Sequence, residues 1–211
     1  MEFTLVGWHD AEGGGPRVRL DFRAFAYAGK FVTSSTGVAL ARDASDPWEL
    51  DEWESRADRS DARAAVDVAH IGDPTVVGAV AFNEDRTDPE TLWLRYVSVR
   101  EDRRGEGVGP RLVSFVCARA RERGYTTCRI AVNNAFSYEA LSKAGFQYTG
   151  RETGLADVVM DRSLGSDASV DAETYQRGLD VFRARDVSAA ERAFLAAHEG
   201  AEPPARIDSP E

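Results

Sequence analysis

The stretch Tyr96-Val97-Ser98-Val99-Arg100-Glu101-Asp102-Arg103-Arg104-Gly105-Glu106-Gly107-Val108-Gly109-Pro110 decides the reading of this chain. The apolar run that enters it, Thr91 to Val99, places Leu92, Trp93, Leu94, Tyr96, Val97 and Val99 on both faces, as a central strand covered on each side requires. After the turn, Pro110 to Arg123 carries Leu112, Val113, Val116 and Ala120 on one helical stripe, and Gly124 is the expected stop. Glycines at alternate positions let successive main-chain N–H groups converge on an anion, and the helix that follows directs its positive end at the same point. Arg104 adds a fixed cation whose guanidinium can meet phosphate oxygens with two parallel bonds. The stretch predicts a phosphate cradle. It is not the nucleoside-triphosphate loop, which needs Gly-Lys-Ser or Gly-Lys-Thr where this chain has Gly109-Pro110-Arg111. It is not the dinucleotide fingerprint either, because Gly105, Gly107 and Gly109 are spaced differently from G-x-G-x-x-G.

Working outward, Thr126 to Val132 reads as the next strand, and Asn134-Ala135-Phe136-Ser137-Tyr138-Glu139-Ala140-Leu141-Ser142-Lys143-Ala144-Gly145-Phe146 follows it directly as a helix ended by glycine. Together with Arg104-x-x-Gly107-x-Gly109, this segment resembles the GNAT superfamily of N-acetyltransferases, over roughly residues 60 to 162. The resemblance implies an α/β (α+β) fold with a mixed, strongly twisted central sheet flanked by helices. It implies acetyl-CoA as co-substrate, with no metal. Carried over residue by residue, it implies that Val97, Ser98 and Val99 line the pantetheine and acetyl groups. Arg104, Gly105, Glu106, Gly107, Val108 and Gly109 would hold the pyrophosphate, and Asn134 would reach the pantetheine from the end of the neighbouring strand. In the family those two strands splay apart, so the cofactor pairs with main-chain groups otherwise unsatisfied.

Acetyl transfer to an amine needs a neutral nucleophile, a positioned thioester with an oxyanion donor, and a proton for the departing thiolate. Family members acting on protein N-termini usually carry a tyrosine four residues before the Gly-Phe pair and often a glutamate five before the asparagine. Here those positions are Leu141 and Arg129. Tyr138, one helical turn before Leu141, is the candidate general acid, against a reading in which it packs on the sheet. Glu84, after the strand Thr75 to Phe82, is the candidate base, directly or through water, against a reading as a solvated loop acid. Arg129 alternates with the apolar Cys128 and Ile130 and is the candidate for binding an acidic substrate group or ordering the cleft. His9, His70 and His198 lack metal-ligand spacing, and Cys117 and Cys128 read as buried inert thiols. The function implied is N-acetylation of a primary amine on a small molecule or peptide by direct attack. The alternatives are a catalytically silent acetyl-CoA sensor or a partner-binding protein.

Around this centre the chain divides at Gly165-Ser166-Asp167-Ala168-Ser169. Residues 1–164 form the expected acetyl-CoA-binding domain and 165–171 a linker. Residues 172–198 form a helical hairpin, in which Tyr175, Leu179 and Phe182 share one face and Ser188 with Glu191 makes a capping-box pattern. Residues 199–211 form a flexible tail. Earlier segments are expected as a first strand from Met1 to Trp8, a strand over Arg17 to Phe22, an acidic helix or loop over Asp46 to Arg63, and a hairpin joining Ala65 to Ile71 with Thr75 to Phe82. Phe146 to Thr149 and Ala156 to Met160 read as a closing strand pair.

Among the 211 residues, 26 basic and 36 acidic side chains leave a net charge of −10, which opposes general affinity for nucleic acid or anionic lipid. Lys30 and Lys143 are the only lysines, a skew that suits either a salt-rich cytoplasm or an arginine-rich codon bias. The first residues lack the basic region of a signal peptide, and no apolar run approaches the roughly 18 residues of a membrane helix. A cytoplasmic protein without a membrane segment is expected, and a homodimer is compatible.

Overall fold

The computed structural model describes residues 1–8, 15–33, 36–48, 73–165, 169–207 and 210. Its strands are β1 (Glu2–Gly7), β2 (Gly37–Arg42), β3 (Val76–Glu84), β4 (Thr91–Val99), β5 (Thr127–Val132), β6 (Gln147–Glu152) and β7 (Val158–Ser163). Its helices are α1 (Ala28–Thr33), α2 (Val108–Glu122), α3 (Ala135–Lys143), α4 (Ala172–Arg183) and α5 (Ala189–Ala197), with a 3₁₀ turn over Glu101–Arg103. The strands follow the order β1-β2-β3-β4-β5-β7-β6 in one mixed sheet. By contact the chain forms two units, Met1–Asn83 with Tyr96–Leu112, and Glu84–Arg95 with Val113–Glu211.

In the first unit β1 pairs antiparallel with β2, and β2 antiparallel with β3. Val18, Leu20, Phe31, Val38, Leu40 and Val76 form the apolar centre, with Trp48 and Tyr96 packed at its margin. β2 has no counterpart in the sequence expectation: Gly37-Val38-Ala39-Leu40-Ala41 is buried throughout, but its alanines give neither alternation nor β-branching. The strand expected over Arg17 to Phe22 is a correction. Val18 and Leu20 are buried as alternation required, yet only Arg17 makes a bridge. The reason is Asp21. Its carboxylate accepts the Arg23 N–H at 2.9 Å and its carbonyl accepts from Ala24 and Phe25, turning the chain away from extended geometry.

In the second unit β4 and β5 run parallel over Thr91–Leu94 and Thr127–Ile130. β7 then pairs antiparallel with both β5 and β6. The closing strand pair is present, but β7 lies beside β5 because Val158, Val159 and Met160 are buried. β6 is polar, its outer half exposed, and takes the edge. The hairpin also forms here, α4 capped by Asp171 and α5 by Ser188. The strand expected at Ala65 to Ile71, the acidic segment beyond Trp48 and residues 166–168 of the linker lie outside the described residues.

Candidate functional site

The glycine-rich turn is held from below by two arginines. Arg100, 1% exposed, donates from Nε to Asp102 at 2.8 Å, from Nη2 to the Asp46 carboxylate at 2.5 Å and from Nη1 to the Asp46 carbonyl at 3.0 Å. Its own N–H bonds the Val77 carbonyl, so β4 leaves the sheet at a fixed point. Arg103 reaches Asp43 at 3.1 Å, Asp46 at 3.0 Å and Glu106 at 2.7 Å. The Glu106 bond above all holds Arg103 more firmly protonated than usual, and it ties back the one acid that lies among the glycines.

Above this base Gly105 and Gly107 take φ of 86° and 78°, the left-handed region that L-residues avoid. Among the described residues, the main-chain N–H groups of Gly105, Glu106, Gly107, Val108 and Gly109 have no acceptor. The ladder of α2 begins only when Arg111 N–H bonds the Gly107 carbonyl at 3.2 Å. A Cβ built on Gly105 meets nothing within 4 Å, so the turn is open on that side. Arg104 and Arg111 are exposed on this segment, with no carboxylate partner among the described residues. α2 has no acid in its first turn, so its positive end is uncompensated by side chains. Among the described residues, this segment thus brings together five amides without an acceptor, two guanidinium groups without a carboxylate partner, of which Arg104 donates from Nε to the Val99 carbonyl at 3.4 Å, and the start of a helix of 15 residues. Just before the turn, Val97 and Val99 are partly buried, and Ser98 is 3% exposed, its hydroxyl without a partner among the described residues.

α3 presents the opposite case. Asn134 is its N-cap: its Oδ1 accepts the Ser137 N–H at 2.8 Å, and its Nδ2 donates to Asn133. The Ala135 N–H is taken by Glu191 Oε1, from α5, at 2.8 Å. The amides that open α3 are therefore filled largely from within the chain.

Tyr138 is fully buried in α3. Its hydroxyl donates to the Tyr175 carbonyl at 3.2 Å, and its ring stacks on Tyr175 at 5.7 Å and meets Phe182 edge-on. Burial raises the Tyr138 phenol well above the usual tyrosine range. Gly178 makes this packing fit, since a Cβ there would stand 2.0 Å from the Tyr138 hydroxyl. Glu84 is exposed at the end of β3, where the Tyr125 hydroxyl donates to it at 3.5 Å. Arg129 forks onto Asp161 with two bonds of 2.7 Å and reaches Asp85 at 3.4 Å. Asp85 is held below the usual carboxylate range, first by the Thr87 N–H and further by Arg129. Arg129 thus orders a network of carboxylates. Cys117 and Cys128 are buried, and burial pushes the Cys128 thiol well up. His198 packs against Phe194, and His9 and His70 lie outside the described residues.

Sequence reasoning missed Arg100, Arg111 and Glu191. Nothing in the spacing marks Arg100 as buried. Arg111 carries a usable signal, a cation in the first turn of a helix, where the dipole disfavours it unless an anion binds. The Ser188-x-x-Glu191 pattern was legible, but the carboxylate bonds another helix and does not turn back on its own.

Among the described residues, no group of three or more His, Cys, Asp or Glu could hold a metal ion, and no helix is long and apolar enough to cross a membrane. No curated protein matches the chain in sequence. Among solved structures, nourseothricin acetyltransferase is 25% identical, with 44% of this chain and 60% of that one covered and a TM-score of 0.40. An N-acetyltransferase from Staphylococcus aureus Mu50 is 15% identical, covering 61% and 68% at a TM-score of 0.43. The paia N-acetyltransferase from Thermoplasma acidophilum, solved in complex with coenzyme A, is 18% identical, covering 43% and 55% at 0.37. The chain thus spans less than two thirds of the first and third of these. The sequence profile of the Acetyltransferase (GNAT) family matches residues 36–146, more than half of the 211, and the chain belongs to that family.

Proposed function

We propose that this chain is an acetyl-CoA-dependent N-acetyltransferase that acts on a primary amine of a small molecule or peptide by direct attack, with no covalent enzyme intermediate. Five consecutive main-chain N–H groups without an acceptor among the described residues, at residues 105 to 109, carry this reading. They fit a diphosphate, and Arg104 supplies the cation beside them. Arg111 extends that positive rim. When bound, acetyl-CoA supplies an activated thioester carbonyl as the electrophile.

The remaining work falls to residues of this chain. The main chain of Val97 to Val99 positions the acyl arm, and an N–H of that strand serves as oxyanion donor. Asn134, whose side chain is bonded to Ser137 and Asn133, caps α3. Glu84, exposed and close to the Tyr125 hydroxyl, takes the proton of the incoming ammonium directly or through water. Tyr138 contributes packing and not a proton, because its hydroxyl is bonded inside the helical layer, so as the C–N bond forms and the C–S bond breaks the departing thiolate takes its proton from solvent. Arg129 orders Asp85 and Asp161 and does not meet the acceptor.

Two measurements test the proposal. Acetyl-CoA at 100 times its dissociation constant should stabilise the fold by about 2.7 kcal/mol, which is roughly 5–10 °C of melting temperature for a chain of this length, while pantetheine, which lacks the diphosphate, should give no shift. Release of free thiol from acetyl-CoA on mixing with a panel of primary amines should then identify the acceptor. Absence of any shift with acetyl-CoA overturns the binding site, and a shift without thiol release for any amine overturns turnover.

A further inference from the structure

The segment before β2 runs against the charge of the rest of the chain. Residues 15–33 carry Arg17, Arg19, Arg23 and Lys30 against one acid, Asp21, whereas the whole chain has 26 basic and 36 acidic side chains. That one acid is already taken: its carboxylate accepts from Arg23 and, at 3.1 Å, from the Trp48 indole N–H. Lys30 is different. Its ammonium lies over the Tyr96 ring, 5.9 Å from the centroid, with no carboxylate partner among the described residues. A cation without a counter-ion, on a basic stretch of an acidic chain, is a place where the local field favours an anionic group of a ligand.

Two further observations mark the same place. Tyr27, whose carbonyl accepts the Lys30 N–H at 2.8 Å, has φ 59°, a left-handed conformation that a bulky residue adopts at a cost. Its ring is 53% exposed and stands 5.9 Å from that of Tyr96. Glycine would suit that backbone better, so the strain comes with keeping an aromatic ring there. The second observation is Ser98. Tyr96 and Trp48 pack at the margin of the same apolar centre, and the Arg100 guanidinium lies 5.7 Å from the Trp48 ring, so Tyr96 and Arg100 lie on one face. Ser98, between them by alternation, shares it. Its hydroxyl is buried without a partner among the described residues, a costly state in a closed interior. Val99 points the other way, its Cγ2 3.4 Å from a Cβ built on Gly109. A ring, a cation and an unsatisfied hydroxyl therefore lie side by side on the face opposite Gly109, all within the first unit.

We infer that this face is the acceptor subsite and that the acceptor is an amino acid: Lys30 holds its carboxylate, Tyr27 and Tyr96 pack on its side chain, and the Ser98 hydroxyl accepts from its amine. An amine held there stands beside the main chain of Val97 to Val99, where the acyl arm is proposed to lie. The bonds made and broken are those of the proposed reaction. This inference rests on the function proposed above, and the test separates the two.

The probes are L-phenylalanine and L-leucine with phenethylamine and isopentylamine, the same molecules without the carboxylate. Thiol release from acetyl-CoA by the full chain should show kcat/KM about tenfold higher for the amino acids, the effect of one charge-assisted bond. Lys30→Met should remove that preference and Lys30→Glu should reverse it. Lys143→Met, which removes the same charge at the chain's other lysine, should leave it intact. Tyr27→Gly should raise KM for L-phenylalanine several-fold. Ser98→Ala should raise the amino-acid KM without lowering the melting temperature, because it deletes a hydroxyl that the free protein leaves unsatisfied. Isothermal titration of L-phenylalanine into protein saturated with coenzyme A reads the subsite without turnover, and Lys30→Glu should abolish the binding. Thiol release no faster with the amino acids than with the decarboxylated amines, or a preference that survives Lys30→Glu, overturns the inference while the proposed function stands. Binding of L-phenylalanine that Lys30→Glu removes, with no thiol released by any amine, keeps the subsite and overturns the proposed reaction. Neither binding nor thiol release overturns both.

Discussion

Substituting Gly107 probes the cradle most directly. At φ 78° an alanine is disfavoured by roughly 1–2 kcal/mol. The turn can respond in two ways. If it keeps its shape, the free protein loses that stability, about 2–8 °C of melting temperature at this length. If it relaxes to negative φ, the amides of Gly107 and Val108 swing away from the others. Two charge-assisted hydrogen bonds at about 1.5 kcal/mol each then go missing, about a hundredfold in the acetyl-CoA constant. Gly107→Asp adds a carboxylate among the five amides and should abolish measurable binding. Gly105→Ala calibrates the strain, because φ there is 86° but the new Cβ meets nothing within 4 Å. Isothermal titration of acetyl-CoA, paired with the melting midpoint of each ligand-free variant, separates these outcomes. If Gly107→Asp binds acetyl-CoA within about twofold of wild type, the diphosphate does not lie on these amides, and the argument for an acyltransferase site here is refuted.

Tyr138→Phe should cost about 1 kcal/mol, the bond to the Tyr175 carbonyl, and leave the rate of thiol release unaltered; a large loss of turnover at unchanged melting temperature would restore Tyr138 to the chemistry. Arg129→Ala strands two carboxylates, 8% and 27% exposed, and should destabilise the protein by about 3 kcal/mol in urea unfolding, whereas a higher KM with normal stability would mean that Arg129 meets the acceptor. Asp102, Asp21 and Asp85 are held below the ordinary value of 3.8, first by hydrogen bonds from Arg100, from Arg23 and from the Thr87 N–H respectively. A lowered folded-state value means that the unfolded chain takes up protons first on acidification, so stability present above about pH 4 should fall progressively below it. A urea midpoint that stays flat down to about pH 2.5 would contradict that assignment.

The parts of the site legible in the sequence are those whose cause is local. The free amides at 105 to 109 follow from glycines at positions that need positive φ, and the chain around them announces both the strand that enters and the helix that leaves. The hairpin was legible for the same reason: Tyr175, Leu179 and Phe182 share a face whether or not anything covers it. What could not be read depends on residues distant in the chain. Tyr138 occupies a plausible place for a proton donor on α3, but its access to solvent is decided by Gly178 on α4, which lets the two helices approach until the phenol is enclosed. Arg100 looks like one more charged residue after a strand, and only Asp46 and Trp48 on the other side of the unit make it a buried pin. β2 was unreadable because Ala39 and Ala41 are small enough for the middle of a covered sheet, and alanine carries no strand signal of its own.

The two helix starts differ in how a chain of net charge −10 would receive a polyanion. Both α2 and α3 begin with amides that a phosphate could use, so geometry alone does not choose between them. Charge does. At α3 the Glu191 carboxylate already occupies the first N–H and brings a full negative charge, and the Asn134 side chain fills the third. A diphosphate there would have to displace a buried acid and would meet its repulsion in a medium where screening is poor. At α2 the nearby acids are tied to guanidinium groups: Asp43 and Asp46 to Arg103, Asp46 and Asp102 to Arg100, and Glu106 to Arg103. Arg104 and Arg111 have no carboxylate partner among the described residues and lie closest to the glycines in sequence. The paired acids around the turn therefore act on its shape. By holding Arg100 and Arg103 in fixed ion pairs, they set the turn in the one conformation that leaves its amides free.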